Sequence, residues 1–176
     1  MSKITIISGT NRDDSYTFKV ANYYFEIVKE LNKNGETLLA DFRELPRDIA
    51  FEEVYGKRTQ KFDVFIEKYI TTAEKFFWIV PEYNGSFAGI SKLFIDAVHP
   101  KNFYYKKVCL TGVASGRAGN LRGMDHLAMI LQYLRMSVYW NKLPISKIED
   151  VWDDNAPKTD SQAQAIKEQI EGFLKY

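Results

Sequence analysis

The sequence predicts an α/β fold, a parallel sheet covered by helices on both faces. Two observations predict it. Short runs rich in β-branched and aromatic residues recur along the chain, and each is followed by a stretch with apolar residues three or four apart. Such an alternation of strand and helix patterns builds βαβ units, whose strands must lie parallel.

The first run, Ile4–Ile7, is apolar enough for a central strand. A helix pattern begins near Ser15, carries Val20, Tyr24, Ile27, Val28 and Leu31 on one stripe, and stops at Asn34-Gly35. Thr37–Ala40 reads as the second strand. Residues 47–60 show no clean period and are expected to form a mobile loop with one short helix. A helix over Phe62–Thr72 leads to the third strand, Phe76–Val80. Ser86, after an Asn84-Gly85 turn, is placed to cap a helix over Ser86–Val98. The fourth strand is Lys107–Gly112, and the next helix carries Leu121, Met124, Leu127, Leu131 and Leu134. Ser137–Trp140 reads as the fifth strand, and Ser146–Lys158 as a polar connection with two short apolar patches. The chain closes with an amphipathic helix on Ala163, Ile166, Ile170 and Phe173. Five strands with flanking helices fit the sheet order 2-1-3-4-5.

The 176 residues are expected to form one domain, with a core that needs no covalent staple. Cys109 is the single cysteine, so neither an internal disulfide nor a cysteine-cluster metal site is available; its apolar surroundings predict a buried thiol. A net charge of +1 and scattered basic residues argue against nucleic acid and membrane partners. The polar start MSKITIISGTNRDD does not read as a signal peptide, which leaves a cytoplasmic expectation. His99 and His126 lack partners at metal-ligand spacing, and no GxSxG elbow is present. Asp150, Asp153 and Asp154 do not match a calcium loop.

Three loops follow strands one, three and four, on the edge of the sheet where ligands bind in such folds. Ser8–Thr17 has the chemistry of an anion cradle: a glycine, four hydroxyls, the forked cation of Arg12 and a helix N-terminus. It equally reads as a capped helix beside a surface arginine, and Asp13 and Asp14 suit an anion only if they point outward. Neither the Walker pattern nor GxGxxG is present. Pro81–Ser86 reads as a tight turn, and Val113–Asn120 as a βα turn with two glycines that permit close backbone approach.

Pro81-Glu82-Tyr83-Asn84-Gly85-Ser86 closely resembles the PEYN-x-S motif of the NADPH-dependent FMN reductase family. Gly9-Thr10-Asn11-Arg12-Asp13-Asp14-Ser15 is similar to that family's G-[ST]-x-R-x-x-S pattern, and Ser115–Gly119 to its third glycine loop. Thr17 stands where many relatives have Asn, and Asn120 where relatives often have Gly. The resemblance spans about Ile4 to Leu134. It implies a flavodoxin-like three-layer α/β/α sandwich that binds FMN without covalent attachment and takes NAD(P)H as co-substrate. Carried over by position, Arg12 and Ser15 hold the FMN phosphate, with Ser8, Thr10, Tyr16 and Thr17 around it. Pro81, Glu82, Tyr83, Asn84 and Gly85 line the flavin ring, and Ser115, Gly116 and Gly119 its far edge. Lys92 and Asp96 are expected to be structural, forming a salt bridge at a subunit contact or on a helix face.

The activity implied is transfer of electrons from NAD(P)H through FMN to a small acceptor by a ping-pong mechanism. The acceptor would be a flavin, a quinone, an azo or nitro compound, or a metal ion. The flavin carries the chemistry, so no protein acid or base is assigned. A flavodoxin-like electron carrier or a flavin-binding redox sensor is the alternative; the near-neutral charge disfavours a carrier, since flavodoxins are usually acidic. The apolar surplus on the third long helix and on Leu121–Leu134 predicts a homodimer or homotetramer.

Overall fold

In the computed structural model, which describes residues 2–176, the strand β1 (Lys3–Ser8) is the centre of the sheet. It pairs in parallel with β2 (Glu36–Asp41) on one side and β3 (Lys75–Pro81) on the other. β4 (Lys107–Val113) pairs with β3, which gives the order β2-β1-β3-β4. The fifth position is filled by two short pieces rather than one strand. β5 (Ser137–Val138) pairs with the start of β4, and β6 (Leu143–Ile145) with its end. Both are parallel, so the expected order 2-1-3-4-5 is observed.

Side chains alternate across the sheet and build two cores. Ile7, Phe76, Trp78, Val80 and Leu110 face α2 (Gln60–Ile66), α3 (Gly89–Ala97) and α4 (Leu121–Tyr133). Phe94 of α3 lies among Phe42, Phe62, Phe65 and Trp78, with ring centroids 4.6 to 6.4 Å away. On the opposite face Ile4, Ile6, Phe77, Ile79 and Cys109 meet α1 (Tyr16–Leu31) and α5 (Asp160–Lys175). Cys109 is fully buried, and burial pushes its thiol well above its usual range. Its expected role as a packed thiol holds.

The break in the fifth strand has a local cause. After β5 the chain swings outward, leaving Trp140 77% exposed. The carbonyl of Leu110 then lacks a neighbour on that side. Gln169 of α5 supplies one: its Nε2 donates to Leu110 O at 3.1 Å and to Asn141 O at 2.8 Å. Its Oε1 accepts from Tyr24 Oη at 2.7 Å and from Thr111 Oγ1 at 2.9 Å. A side-chain amide thus stands in for the missing ladder, and all three side chains are fully buried.

Two expected helices start or end elsewhere. α3 begins at Gly89, not Ser86, and its N-cap position is Ala88, with no side-chain cap bond. The helix expected over Phe62–Thr72 is α2 followed by a wider turn over Glu67–Thr71. Within 47–60 one wide helical turn spans Ile49–Glu53. It is closed by the buried carboxylate of Glu53, which accepts from Thr59 N at 3.0 Å and Thr59 Oγ1 at 2.6 Å. Among the described residues no helix is long and apolar enough to cross a membrane.

Gln169→Leu would strand a hydroxyl and two carbonyls in the core. At about 1–3 kcal/mol for a buried group left unpaired, we expect a loss of roughly 2–4 kcal/mol. Urea unfolding should show it as a lower midpoint with an unchanged slope.

Candidate active site

β1, β3 and β4 end together, and the three loops that follow them form one cleft of about 310 Å³. It is lined by Arg12, Ser15, Tyr16 and Thr17 from the first loop and α1, and by Pro81, Glu82 and Tyr83 from the second. Val113, Ala114 and Ser115 come from the third, and Asp14, Lys19, Ile148 and Glu149 complete the wall.

The first loop is laid against β3 and α3. Gly9 N donates to Ile79 O at 3.0 Å, and Ser91 Oγ donates to Gly9 O at 3.0 Å. Ser15 caps α1, its Oγ accepting from Phe18 N at 3.2 Å. The first turn of α1 holds no acidic residue, and the N–H groups of Tyr16 and Thr17 have no intrahelical acceptor by position. Arg12 is exposed and its guanidinium has no ion-pair partner among the described residues. Asp14 takes a left-handed backbone, φ 42°, and its side chain is 93% exposed at the mouth of the cleft it helps to line; Asp13 is exposed too. Lys19 turns to Asp154 at 2.9 Å, and this partner raises its pKa above the usual lysine value.

The second loop is tied to the first and third. Thr10 Oγ1 and Tyr83 Oη share a hydrogen bond of 2.9 Å, and Glu82 N donates to Val113 O at 2.9 Å. Asn84 and Gly85 both have positive φ, 51° and 79°, with Tyr83 and Ser86 paired across the turn. Ser86, expected to cap a helix, instead meets His126 Nδ1 at 3.0 Å. Lys92 and Asp96 form the expected salt bridge on α3, at 2.7 Å.

The third loop is braced by a segment whose role the sequence did not reveal. Ala114 N donates to Ile145 O at 3.1 Å, Ile148 N to Ala114 O at 3.1 Å, and Lys147 N to Gly116 O at 3.2 Å. Ser146 Oγ donates to Arg117 O at 2.7 Å. Ser115 Oγ donates to Glu149 Oε1 at 2.5 Å, and this bond holds the Glu149 carboxyl below its usual range. Residues 145–149 therefore form the outer wall of the cleft. The short apolar patch around Ile148 was the one trace of this in the sequence.

Six of the expected site residues do not line the cleft. Ser8 lies beneath it, fully buried, with no protein partner for its hydroxyl. Thr10 is buried and acts through Tyr83. Asn84 and Gly85 follow the lining residue Tyr83 in the chain, and Gly116 follows Ser115, without lining the cleft themselves. Gly119 is buried against Pro144.

The donor set suits a flavin mononucleotide. The orphaned Ser8 hydroxyl, the unpaired Arg12, the Ser15 and Thr17 hydroxyls and the free amides of α1 gather at one end. Pro81, Val113, Ala114 and Ile148 give the remainder an apolar wall. Among the described residues no group of three or more His, Cys, Asp or Glu could hold a metal ion.

The model of the NADPH-dependent FMN reductase family matches residues 2–150. An NAD(P)H-dependent FMN reductase of Pseudomonas aeruginosa is 29% identical over 175 residues, covering 95% of this chain and 90% of that protein. An NAD(P)H:quinone oxidoreductase of Solanum tuberosum is 32% identical over 133 residues, 75% of this chain and 68% of that protein. Among solved structures, the flavoenzyme NAD(P)H:(acceptor) oxidoreductase from Paracoccus denitrificans superposes with a TM-score of 0.80 at 17% identity, covering 100% and 97% of the two chains. An FMN-dependent NADH-azoreductase from Bacillus anthracis, in complex with FMN, gives 0.63 at 14% identity and covers 99% of each chain.

The two glycines of the third loop separate cleanly. A methyl at Gly116 meets nothing within 4 Å and its φ is not positive. A methyl at Gly119 falls 2.6 Å from Pro144 Cβ, at φ +55°. We therefore expect Gly116→Ala to leave the urea midpoint unchanged. Gly119→Ala should lose more than about 1 kcal/mol, through the left-handed backbone and the clash.

Proposed function

This chain belongs to the NADPH-dependent FMN reductase family, and we propose that it passes electrons from NAD(P)H through FMN to a small acceptor by a ping-pong mechanism. It is an FMN-dependent oxidoreductase served by NAD(P)H. The observation that carries the finer reading is the meeting of the three loops in one cleft at the ends of β1, β3 and β4.

Bound there, FMN supplies hydride acceptance and electron donation. The protein binds and orients. Arg12 offers two parallel donors to a phosphate, and Ser15, Thr17 and the free amides of α1 add further ones. The Tyr83–Thr10 bond fixes the ring wall against the phosphate end, so the two halves of the ligand are held in one register. Asn84 and Gly85 keep the rim low, and their positive φ values turn the chain away without a bulky side chain. Ser115, held by Glu149, faces the cleft from the third loop, and Gly116 leaves open space beside it. An open rim of this kind suits successive visits by donor and acceptor to one ring face. A quinone, a flavin and an azo compound are all flat enough for it, and the relatives named above act on acceptors of these kinds.

The assembly we propose is at least a homodimer. An apolar groove of about 600 Å³ runs between α3 and α4, lined by Ile95, Val98, Met129, Ile130 and Leu134. Met129 is 61% exposed and Tyr133 87%. A second copy of the chain covering this groove would bury them.

Two measurements test the reading. Arg12→Ala should weaken FMN about tenfold to hundredfold, the value of a charged hydrogen bond of about 1.5–3 kcal/mol, and leave riboflavin nearly unaffected. Equal losses for both ligands would remove Arg12 from the phosphate site. Sedimentation at micromolar concentration should show a dimer or larger; a monomer would reject the assembly.

A further inference from the structure

Arg122 occupies a place that neither the fold nor the FMN cleft explains. Its Nη1 lies 4.0 Å from where a side chain on Gly85 would begin, so the guanidinium rests against the Asn84–Gly85 turn at the rim. The backbone that carries it is held firmly. Asn120 Nδ2 donates to Val80 O at 2.9 Å, Gly123 approaches Phe87 N, and His126 meets Ser86. Arg117 stands on the tip of the third loop, its carbonyl held by Ser146.

Among the described residues three other guanidiniums are engaged, whereas Arg12 and Arg47, both exposed, pair with nothing. Arg43 pairs with Asp41 at 2.5 Å, Arg58 with Asp63 and the Ala97 carbonyl, and Arg135 with Tyr105 at 3.1 Å. Among the described residues the side chains of Arg117 and Arg122 have neither a carboxylate nor a hydrogen-bond acceptor, and both are exposed. Arg122 does not serve its helix either, because a cation in a first turn opposes the macrodipole. Glu149, the nearest-braced carboxylate of the cleft wall, is taken by Ser115.

We infer that Arg122, assisted by Arg117, anchors a phosphate monoester carried by the second ligand that reaches the rim. The inference rests on the reading of the cleft as the FMN site. The same phosphate chemistry has two sources: the 2′-phosphate of NADPH, or the 5′-phosphate of free FMN arriving as acceptor. Either would meet a planar fork of donors at an open rim, while the FMN held inside uses Arg12.

The experiment uses FMN-loaded protein, wild type, Arg122→Ala, Arg122→Lys and Arg117→Ala. Equilibrium titrations with NADP⁺ and NAD⁺ read binding without turnover, and steady-state KM values are taken for NADPH, NADH, FMN and riboflavin. The expected result for Arg122→Ala is a tenfold to hundredfold weaker NADP⁺ with NAD⁺ unchanged, or a KM for FMN raised as much with riboflavin unchanged, as loss of a charged hydrogen bond gives roughly. The first outcome identifies the dinucleotide as the source, the second the acceptor. Arg122→Lys should recover part of the loss and Arg117→Ala should show a smaller one. A loaded Arg122→Ala protein that matches wild type for all six ligands, or loses phosphorylated and unphosphorylated ligands equally, overturns the inference and leaves the FMN site standing. A wild-type protein that takes up no FMN sinks the reading of the cleft and this inference with it.

Discussion

The hydrogen bond from Asn120 to the carbonyl of Val80 holds the arrangement of the three loops. Asn120 is 1% exposed and sits in the left-handed region, φ +65°, as the last residue before α4. Its Nδ2 reaches back 2.9 Å to the end of β3. Together with the bond from Glu82 N to Val113 O, that contact sets how the third loop lies against the second. Glycine would give the backbone the same freedom at this position, but it could not pair the Val80 carbonyl. A buried carbonyl left unpaired costs about 1–3 kcal/mol, so asparagine here supplies both the turn and the tie. One face of α4 then follows: Gly123 comes 2.8 Å from Phe87 N where a side chain would otherwise begin, and His126 meets Ser86 one turn later. The second loop is fixed from behind by the helix that follows the third.

Strands and helices were legible because their periods are set by burial. Ile4–Ile7 and Phe76–Val80 are mostly apolar on both faces, since both faces are covered, and the stripe from Met124 to Leu134 faces the sheet, whereas Leu121, expected on it, is 48% exposed at the start of the helix. Ser86 misled for a chemical reason. Serine before an apolar stripe is the usual cap signal, yet here its hydroxyl is spent on His126 and the helix starts three residues later without a side-chain cap. The first loop left two readings open in the sequence, and what bears on them is geometry: Asp13 and Asp14 solvated, and Arg12 without an ion-pair partner among the described residues.

The C-terminal quarter was the least legible, although it completes both the sheet and the cleft. Its contribution runs through contacts between residues far apart in sequence. Gln169 replaces a strand neighbour for Leu110, 59 residues away. Glu149 holds Ser115 across 34 residues, through a lone polar side chain in a polar stretch. Neither pattern has a period, because neither is made by a repeating face. The split of the fifth strand belongs to the same class: β6 contains Pro144, which lacks an N–H, and an edge position tolerates that.

The cleft wall fixes protons more than it offers them. Tyr83 shares its hydroxyl with Thr10, and Glu149 accepts from Ser115 and is held below the usual carboxylate range. A wall of committed donors and acceptors is suited to positioning, and poorly suited to carrying a proton through a reaction. Unpaired guanidiniums stand near it instead, Arg12 in the cleft wall and Arg122 against the Asn84–Gly85 turn. Between them stand Pro81, Val113 and Ile148. Under the function proposed above, an arginine at each side of an apolar middle suits flat molecules with anionic tails, with the chemistry left to the molecules themselves.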